Sequence, residues 1–381
     1  MKRWVWVSVG ILLLVLSWGT VSVSAAEEPD EDRVLRQQAQ ALSTDRLWSG
    51  LPPETQQGLA EMGITSSDSG SLPQFSAGGV LTQLLSMVSD NSHTPLSGLT
   101  TCLGIILLCV VTEGFGISMG GQKLYPVQNA IAAMCICTAL IVPLTATIQK
   151  AADLINGGAA FLLLYVPILS GLLVSAGHEV TGASYYTTMM TAGNAVSLTA
   201  AKLIVPLMNV FLALAVTSSV SPKMRLHALC ESVYKIAKWV LGFALSVFVT
   251  ILSLNTFVTT SMDHVAQKAL RFTVGSFVPV VGGVLGEALN TFNGSLELLK
   301  TGAGVFVIAA AAVLLLPVLV ECILWQFSLF LLTSVSEMTG LSQMSGVFKT
   351  VGKAVGMLTA LLLSVLVVLV ISTVILLMAS R

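Results

Sequence analysis

The chain has 381 residues, of which 55% are hydrophobic and 10% are charged, and its formal net charge is −1. Soluble domains carry about 25% charged residues, so this composition excludes a soluble globular protein, and the near-neutral charge gives no sign of a nucleic-acid partner. The mean hydropathy is +0.88. Several apolar runs approach the ~20 residues that span a bilayer as a helix, which predicts an all-α, polytopic helical membrane protein.

The first 26 residues predict a secretory signal peptide. Lys2 and Arg3 precede an apolar run, and the small residues that end at Ala26 precede a cluster of acids. This order is typical of a signal peptide that is cleaved after Ala26. An uncleaved anchor is the alternative, because the apolar run is long enough to span a bilayer. Both interpretations place the following segment outside the cytoplasm.

Residues 27–95 predict an acidic extracytoplasmic region. This region has ten acidic residues, three basic residues and no cysteine. A helix is predicted near Gly79–Ser89, with an apolar face that suits a membrane surface or a soluble partner. The six cysteines of the chain all lie in or beside the apolar segments that follow, so no disulfide framework is expected.

Residues 96–381 predict a polytopic membrane domain. Its apolar segments are 96–119, 127–148, 157–177, 192–216, 236–259, 272–286, 302–332 and 354–378.

The sequence of the membrane domain predicts an internal repeat of about 113 residues. YVPILSGLL at Tyr165–Leu173 matches FVPVVGGVL at Phe277–Leu285, and the surroundings of Pro206 match those of Pro317 at nearly the same offset. Matches in the same order at one offset predict a three-segment unit that is used more than twice. Internal repeats of this kind are common in transporter and channel folds.

The third and sixth segments are predicted to enter the membrane without crossing it. Only 15 uncharged residues separate Arg271 from Glu287, which is short for a span. Loop charges also favour this arrangement, because it puts seven basic residues inside and five outside. The alternative is that both segments are ordinary spans that are kinked by proline and packed for stability.

Prolines and glycines in these two segments are the candidate pore or packing residues. We expect the prolines to interrupt the helix and the glycines to allow close approach or sharp turns, so that the segments line any path through the bundle. The residues are Pro167, Gly171, Pro279, Gly282, Gly283 and Gly286.

Three ionisable residues lie within apolar runs: Glu113, Lys202 and Glu321. An ion at membrane depth is unfavourable by several kcal/mol on most scales, so such side chains face a cavity or one another. Glu321 is predicted to line a hydrated cavity or to pair with a partner such as Lys202. The alternative is that each side chain reaches the interface from near a helix end.

No motif predicts catalysis. Gly116–Gly120 matches G-x-S-x-G, but here the pattern ends a predicted membrane helix and not a strand-to-helix turn. The sequence contains no phosphate-binding G-x-x-x-x-G-K-[ST] and no H-E-x-x-H. We therefore predict a protein that is not an enzyme, with no catalytic residue, cofactor or metal site.

Two longer stretches resemble one protein family. They are FVPVVGGVLGEALNTFNGSLELLK at Phe277–Lys300 and SPKMRLHALCESVYKIAKWVLGFAL at Ser221–Leu245. With the signal peptide and the acidic region before them, they resemble stage III sporulation protein AE, a family of endospore-forming bacteria. The likeness covers roughly residue 96 to the C-terminus and is most specific in Phe277–Lys300.

The resemblance implies a place in the mother-cell membrane that faces the engulfed forespore. It implies a non-enzymatic part of a channel or secretion-like complex, whose partners are other stage III sporulation membrane proteins and the lipid bilayer. The ATPase of such a complex is a separate chain. A stand-alone secondary transporter is the alternative, because the internal repeat alone predicts it equally well. The sequence names no cargo.

Overall fold

A computed structural model describes residues 45–61, 64, 77–118, 125–199, 206, 208–213, 226–277 and 282–378, which are helices and short turns without a strand. The helices with defined ends are α1 Asp45–Ser49, α2 Pro53–Glu61, α3 Ala77–Ser118, α4 Tyr125–Ser175, α5 Glu179–Thr199, α6 Leu226–Phe277, α7 Gly282–Met338 and α8 Ser342–Met378. The predicted signal peptide with Ala26, residues 27–44, 62–63 and 65–76 of the acidic region, Lys202 and Pro279 lie outside the described residues.

Within the described part of the chain, five helices are long and apolar enough to cross a membrane. The stretches are Ser86–Glu113 in α3, Ile131–Ser175 in α4, Glu231–Ala266 in α6, Thr301–Met338 in α7 and Gln343–Met378 in α8. The predicted all-helical class is therefore confirmed for the described residues, and five of their helices have the length and composition of membrane spans.

Helices α7 and α8 form a hairpin whose inner faces make up much of the core. Gly340 has a φ of 77°, and this left-handed conformation lets the chain reverse without a Cβ clash. The Gly340 N–H donates to the Glu337 carbonyl and the Leu341 N–H donates to the Ser336 carbonyl, at 3.2 and 2.9 Å. These bonds close the end of α7, and Gly177 with a φ of 85° ends α4 in the same way.

Helix α4 packs along the α7–α8 hairpin in a defined register. Thr147 contacts Glu321 of α7, and Tyr165 Oη lies 2.9 Å from Ser372 Oγ of α8. Between them, a Cβ on Gly158 would lie within 4 Å of Leu314. Helix α4 is therefore antiparallel to α7 and parallel to α8, and its residues before Thr147 lie beside the part of α7 that follows Glu321.

Helices α3 and α6 lie on opposite flanks of this core. Helix α3 packs against α7 and α4, whereas α6 packs against α8 and α5. The spanning stretch of α7 is mostly buried, whereas only a few residues of the α6 stretch are buried. The two flanks therefore present large helical surfaces that the other described helices do not cover.

The structure corrects the predicted break at Pro167. Helix α4 runs without interruption through Pro143 and Pro167, so the predicted segments 127–148 and 157–177 belong to one helix of 51 residues. A proline removes one helical hydrogen bond, but Val166 and Leu169 beside it are fully buried, and this packing holds the helix together. The connection at 149–156 has no proline or glycine and contains good helix formers.

The described part of the predicted exported region packs against the bundle. Helix α3 continues through Pro95, so the predicted helix at Gly79–Ser89 is continuous with the first apolar segment. Leu47 and Leu59 are fully buried, and the ring of Trp48 lies 6.2 Å from that of Phe306 in α7. This region is therefore part of the same core.

The predicted segment 272–286 is divided between two helices. Helix α6 ends at Phe277 and α7 begins at Gly282, and α7 then continues through the predicted segment 302–332. Residues 278–281 lie outside the described residues. Re-entry of this segment into the membrane stays a prediction.

Gly98 allows α3 to approach α7 closely. A Cβ at Gly98 would lie 2.6 Å from Cη2 of the fully buried Trp325 ring, whereas a Cβ at Gly104 on the same helix would meet nothing within 4 Å. Gly98→Ala should lower the free energy of unfolding by about 1–3 kcal/mol, because the ring must move. Gly104→Ala should raise the free energy of unfolding by about 0.5–1 kcal/mol, because alanine favours a helix more than glycine does. Thermal unfolding in detergent checks both, and equal effects would contradict the close packing.

Candidate functional site

A charged pair lies inside the bundle where α4 packs against α7. Glu321 of α7 is only 2% exposed, and both of its carboxylate oxygens accept hydrogen bonds from α4. Thr147 Oγ1 donates to Oε1 over 2.7 Å, and Lys150 Nζ donates to Oε2 over 3.2 Å. Each oxygen of the buried carboxylate therefore has a donor.

Helix α4 supplies both donors because Thr147 and Lys150 are three residues apart and lie on neighbouring positions of one helix face. The Lys150 side chain is 55% exposed, while that of Glu321 is buried. The ammonium group therefore reaches inward from the surface of the bundle, as long basic side chains often do. The pair has one closed end, at Glu321, and one open end, at Lys150.

The two donors explain how a carboxylate can occupy this position. Burial of an unpaired carboxylate is unfavourable by several kcal/mol, and an opposite charge with further hydrogen bonds offsets this penalty. Glu321 lies near the middle of the apolar stretch Thr301–Met338. A charged pair this far from either helix end marks a functional position more often than a structural one.

A second polar contact ties α7 to α8 close to Glu321. Gln326 Nε2 donates to Thr359 Oγ1 of α8 over 2.7 Å. Gln326 follows Glu321 by five residues, so the two side chains leave α7 in different directions. Polar contacts in this zone therefore connect α7 to α4 on one side and to α8 on another.

A separate charged contact holds the start of α5 against α6. The Asp263 carboxylate of α6 is 2% exposed and accepts the N–H groups of Val180 and Thr181 over 3.1 and 2.9 Å. His178 Nδ1 lies 4.0 Å from the same carboxylate. Because the first N–H groups of a helix have no partner within it, Asp263 caps α5 from a different helix.

The structure places the predicted site residues in different surroundings. Glu321 accepts hydrogen bonds from Thr147 and Lys150, two residues that the sequence did not single out. Glu113 is half-buried in α3. Pro167 and Gly171 lie within α4. Gly282, Gly283 and Gly286 lie in the first two turns of α7. Pairing of Glu321 with Lys202 and a role of the proline–glycine segments in a path stay predictions.

The described residues offer no metal centre, because no three His, Cys, Asp or Glu side chains among them are placed to hold an ion. The site is instead a charged pair in an apolar bundle. Such a pair can hold two helices in register, and it can respond to water, ions or protein groups that reach its open end.

Comparison with known proteins places the chain in a family. The model of the family described as stage III sporulation protein AE matches residues 64–380. Stage III sporulation protein AE of Bacillus subtilis (strain 168) is 22% identical over 326 residues, which cover 81% of this chain and 80% of the relative. No solved structure matches. The family match extends over most of the chain, which therefore belongs to the stage III sporulation protein AE family, with a role in sporulation.

Proposed function

We propose that this protein is a non-enzymatic, multi-pass component of the channel complex between mother cell and forespore. It lies in the mother-cell membrane around the forespore, with its N-terminal region outside the cytoplasm, and it acts together with other stage III sporulation membrane proteins. Family membership supports the role in sporulation, and the long apolar helices support a place in the membrane.

The main support for the proposal is the Lys150–Glu321 pair, in which the Glu321 carboxylate is buried and the Lys150 side chain reaches the surface of the bundle. A charged pair among apolar helices is characteristic of membrane proteins that conduct, transport or couple to a gradient. We propose that the pair lies beside the path through the complex or controls the packing of α4 against α7 there.

The second candidate function is a stand-alone secondary transporter, which the predicted internal repeat favours. Purified protein in liposomes separates the two functions. A transporter would drive solute uptake from an ion gradient without any other protein, and Glu321→Gln would abolish this uptake. We expect no uptake by the purified chain alone, and gradient-driven uptake without partners would contradict the proposal.

A further inference from the structure

The Thr147 hydroxyl group lies between two acceptors at the Lys150–Glu321 pair. Its Oγ1 is 2.7 Å from Oε1 of Glu321 and 3.1 Å from the carbonyl oxygen of Pro143, one turn earlier in α4. A hydroxyl group has one hydrogen and two acceptor lone pairs. Thr147 can therefore donate to only one of these oxygens at a time, while its own oxygen remains able to accept a hydrogen bond.

Two complete hydrogen-bond arrangements follow from this geometry. When Glu321 is charged, Thr147 donates to the carboxylate, which is the stronger of its two possible bonds because the acceptor is ionised. When Oε1 of Glu321 carries a proton, the acid O–H donates to Thr147 Oγ1, and Thr147 donates to the Pro143 carbonyl group. Both arrangements satisfy the Thr147 hydroxyl group and Oε1, so the site avoids the penalty of an unpaired buried polar group in either state.

Lys150 has other partners available when Glu321 is neutral. Its side chain is 55% exposed, so its ammonium group reaches water without a change in the helix backbone. Asp153 follows Lys150 by three residues and is exposed, and residues at this spacing are neighbours on a helix surface. The cation can therefore exchange the Glu321 carboxylate for water and Asp153, which leaves no unpaired charge inside the bundle.

The described helices that pack against α7 bring no other charge to Glu321. The stretches of α3 and α8 that lie beside this part of α7, residues 94–112 and 354–378, contain no Asp, Glu, Lys, Arg or His. Both glutamates of α2 are exposed. On α7 itself, the nearest titratable group is the thiol of the buried Cys322. The charge state of the site therefore depends on Glu321 and on the two ionisable residues of α4.

Asp263 is a second buried carboxylate, and its surroundings differ in one respect. Its two hydrogen-bond partners are the backbone N–H groups of Val180 and Thr181, which can only donate. A proton on Asp263 would find no acceptor in either partner. The hydroxyl group opposite Glu321 can donate or accept, so Glu321 has a partner for a proton that Asp263 lacks.

We propose that Glu321 is a proton-binding site, which takes up a proton at its open end and releases Lys150 when it does so. A hydronium ion gives its proton to the carboxylate and leaves as water, while Lys150 keeps its own proton. The ion pair between α4 and α7 is thereby replaced by a neutral hydrogen bond between Glu321 and Thr147. The proton would thus control the packing of α4 against α7. This inference rests on the proposed function and names a regulator of the same site.

Infrared difference spectroscopy of the full-length chain in phosphatidylcholine vesicles tests the proton site. A protonated carboxyl group that is shielded from water gives a C=O band distinct from those of exposed acids. We expect this band to appear in the wild-type chain as the pH falls, to be lost in Glu321→Gln and to remain in the control Glu113→Gln. In Lys150→Met the band should appear at a pH higher by about one unit or more, because the cation that favours the carboxylate is gone. A difference spectrum from which Glu321→Gln removes no band would overturn the proposal.

Labelling with dicyclohexylcarbodiimide provides a second readout that needs no substitution. This apolar reagent reacts with a protonated carboxyl group, whose proton goes to a carbodiimide nitrogen while the carboxyl oxygen bonds to the central carbon. We expect peptide mass spectrometry to find the label on Glu321, with an increase of up to about tenfold per pH unit as the pH falls, and to find Asp263 unlabelled. Equal labelling of both residues would show that the reagent follows burial alone and would count against the proposal. An unlabelled Glu321 in the wild-type chain, with labelling in Lys150→Met, would also overturn it.

The infrared measurement separates this inference from the proposed function. A chain that binds other stage III sporulation membrane proteins but shows no Glu321 band keeps its place in the channel complex and has no proton site. A chain that shows the band but binds none of these proteins has the proton site without the proposed partners.

Discussion

Lys150→Met is expected to lower the free energy of unfolding by about 2–3 kcal/mol. The substitution leaves the Glu321 carboxylate buried without its cation, which typically has an effect of 3–5 kcal/mol for a fully buried pair. The smaller value is expected because Lys150 is half-exposed, so water already weakens the pair. Thermal unfolding in detergent checks the change.

The double variant Lys150→Met with Glu321→Met separates stability from function. Replacing both partners by apolar side chains of similar size is often neutral for stability, and Thr147 keeps its hydrogen bond to the Pro143 carbonyl at 3.1 Å. We expect normal protein level with impaired sporulation, and the same result for Glu321→Gln. Full sporulation of the double variant would mean that the pair serves only the fold.

Asp263→Ala is expected to lower the free energy of unfolding by about 2–4 kcal/mol. The substitution leaves the buried N–H group of Thr181 without an acceptor, which has an effect of about 1–3 kcal/mol, and the loss of the partly buried bond from the Val180 N–H adds a smaller effect. The contact between the α4–α5 turn and α6 should also open. Hydrogen exchange at the start of α5 and thermal unfolding check both effects.

Glu179→Ala is the matched control for Asp263→Ala. Glu179 lies in the first turn of the same helix but is exposed, so it contributes only the interaction of a surface charge with the helix dipole, about 0.3–1 kcal/mol. An effect of Glu179→Ala as large as that of Asp263→Ala would show that the buried cap is not what holds α5.

The helical membrane class could be predicted from the sequence because it depends on local properties. An apolar run long enough to span a bilayer predicts a helix from its own residues alone. The predicted segments 302–332 and 354–378 accordingly lie within α7 and α8. The position of helix ends was harder to predict. The sequence suggested breaks near Pro95, between segments 127–148 and 157–177, and at Pro167, but α3 and α4 continue through them. At Pro167, the burial of Val166 and Leu169 outweighs the single missing hydrogen bond.

The candidate site could be predicted only in part. Glu321 stood out because it interrupts an apolar run, whereas Lys150 lies between the predicted segments 127–148 and 157–177 and gave no signal of its own. Its partnership with Glu321 depends on packing between residues 171 apart in the chain, which no local pattern reports. Asp263 and the start of α5 were missed for the same reason, since the cap comes from a helix more than 80 residues later.

Co-purification from sporulating cells tests the proposed function most directly. The full-length chain with an affinity tag would be extracted in mild detergent during engulfment, and the bound proteins identified by mass spectrometry. Lys150→Met with Glu321→Met would serve as a second bait. The proposal predicts that other stage III sporulation membrane proteins are recovered with the wild-type chain well above an untagged control. Recovery of the wild-type chain without any of them, at normal sporulation, would contradict it.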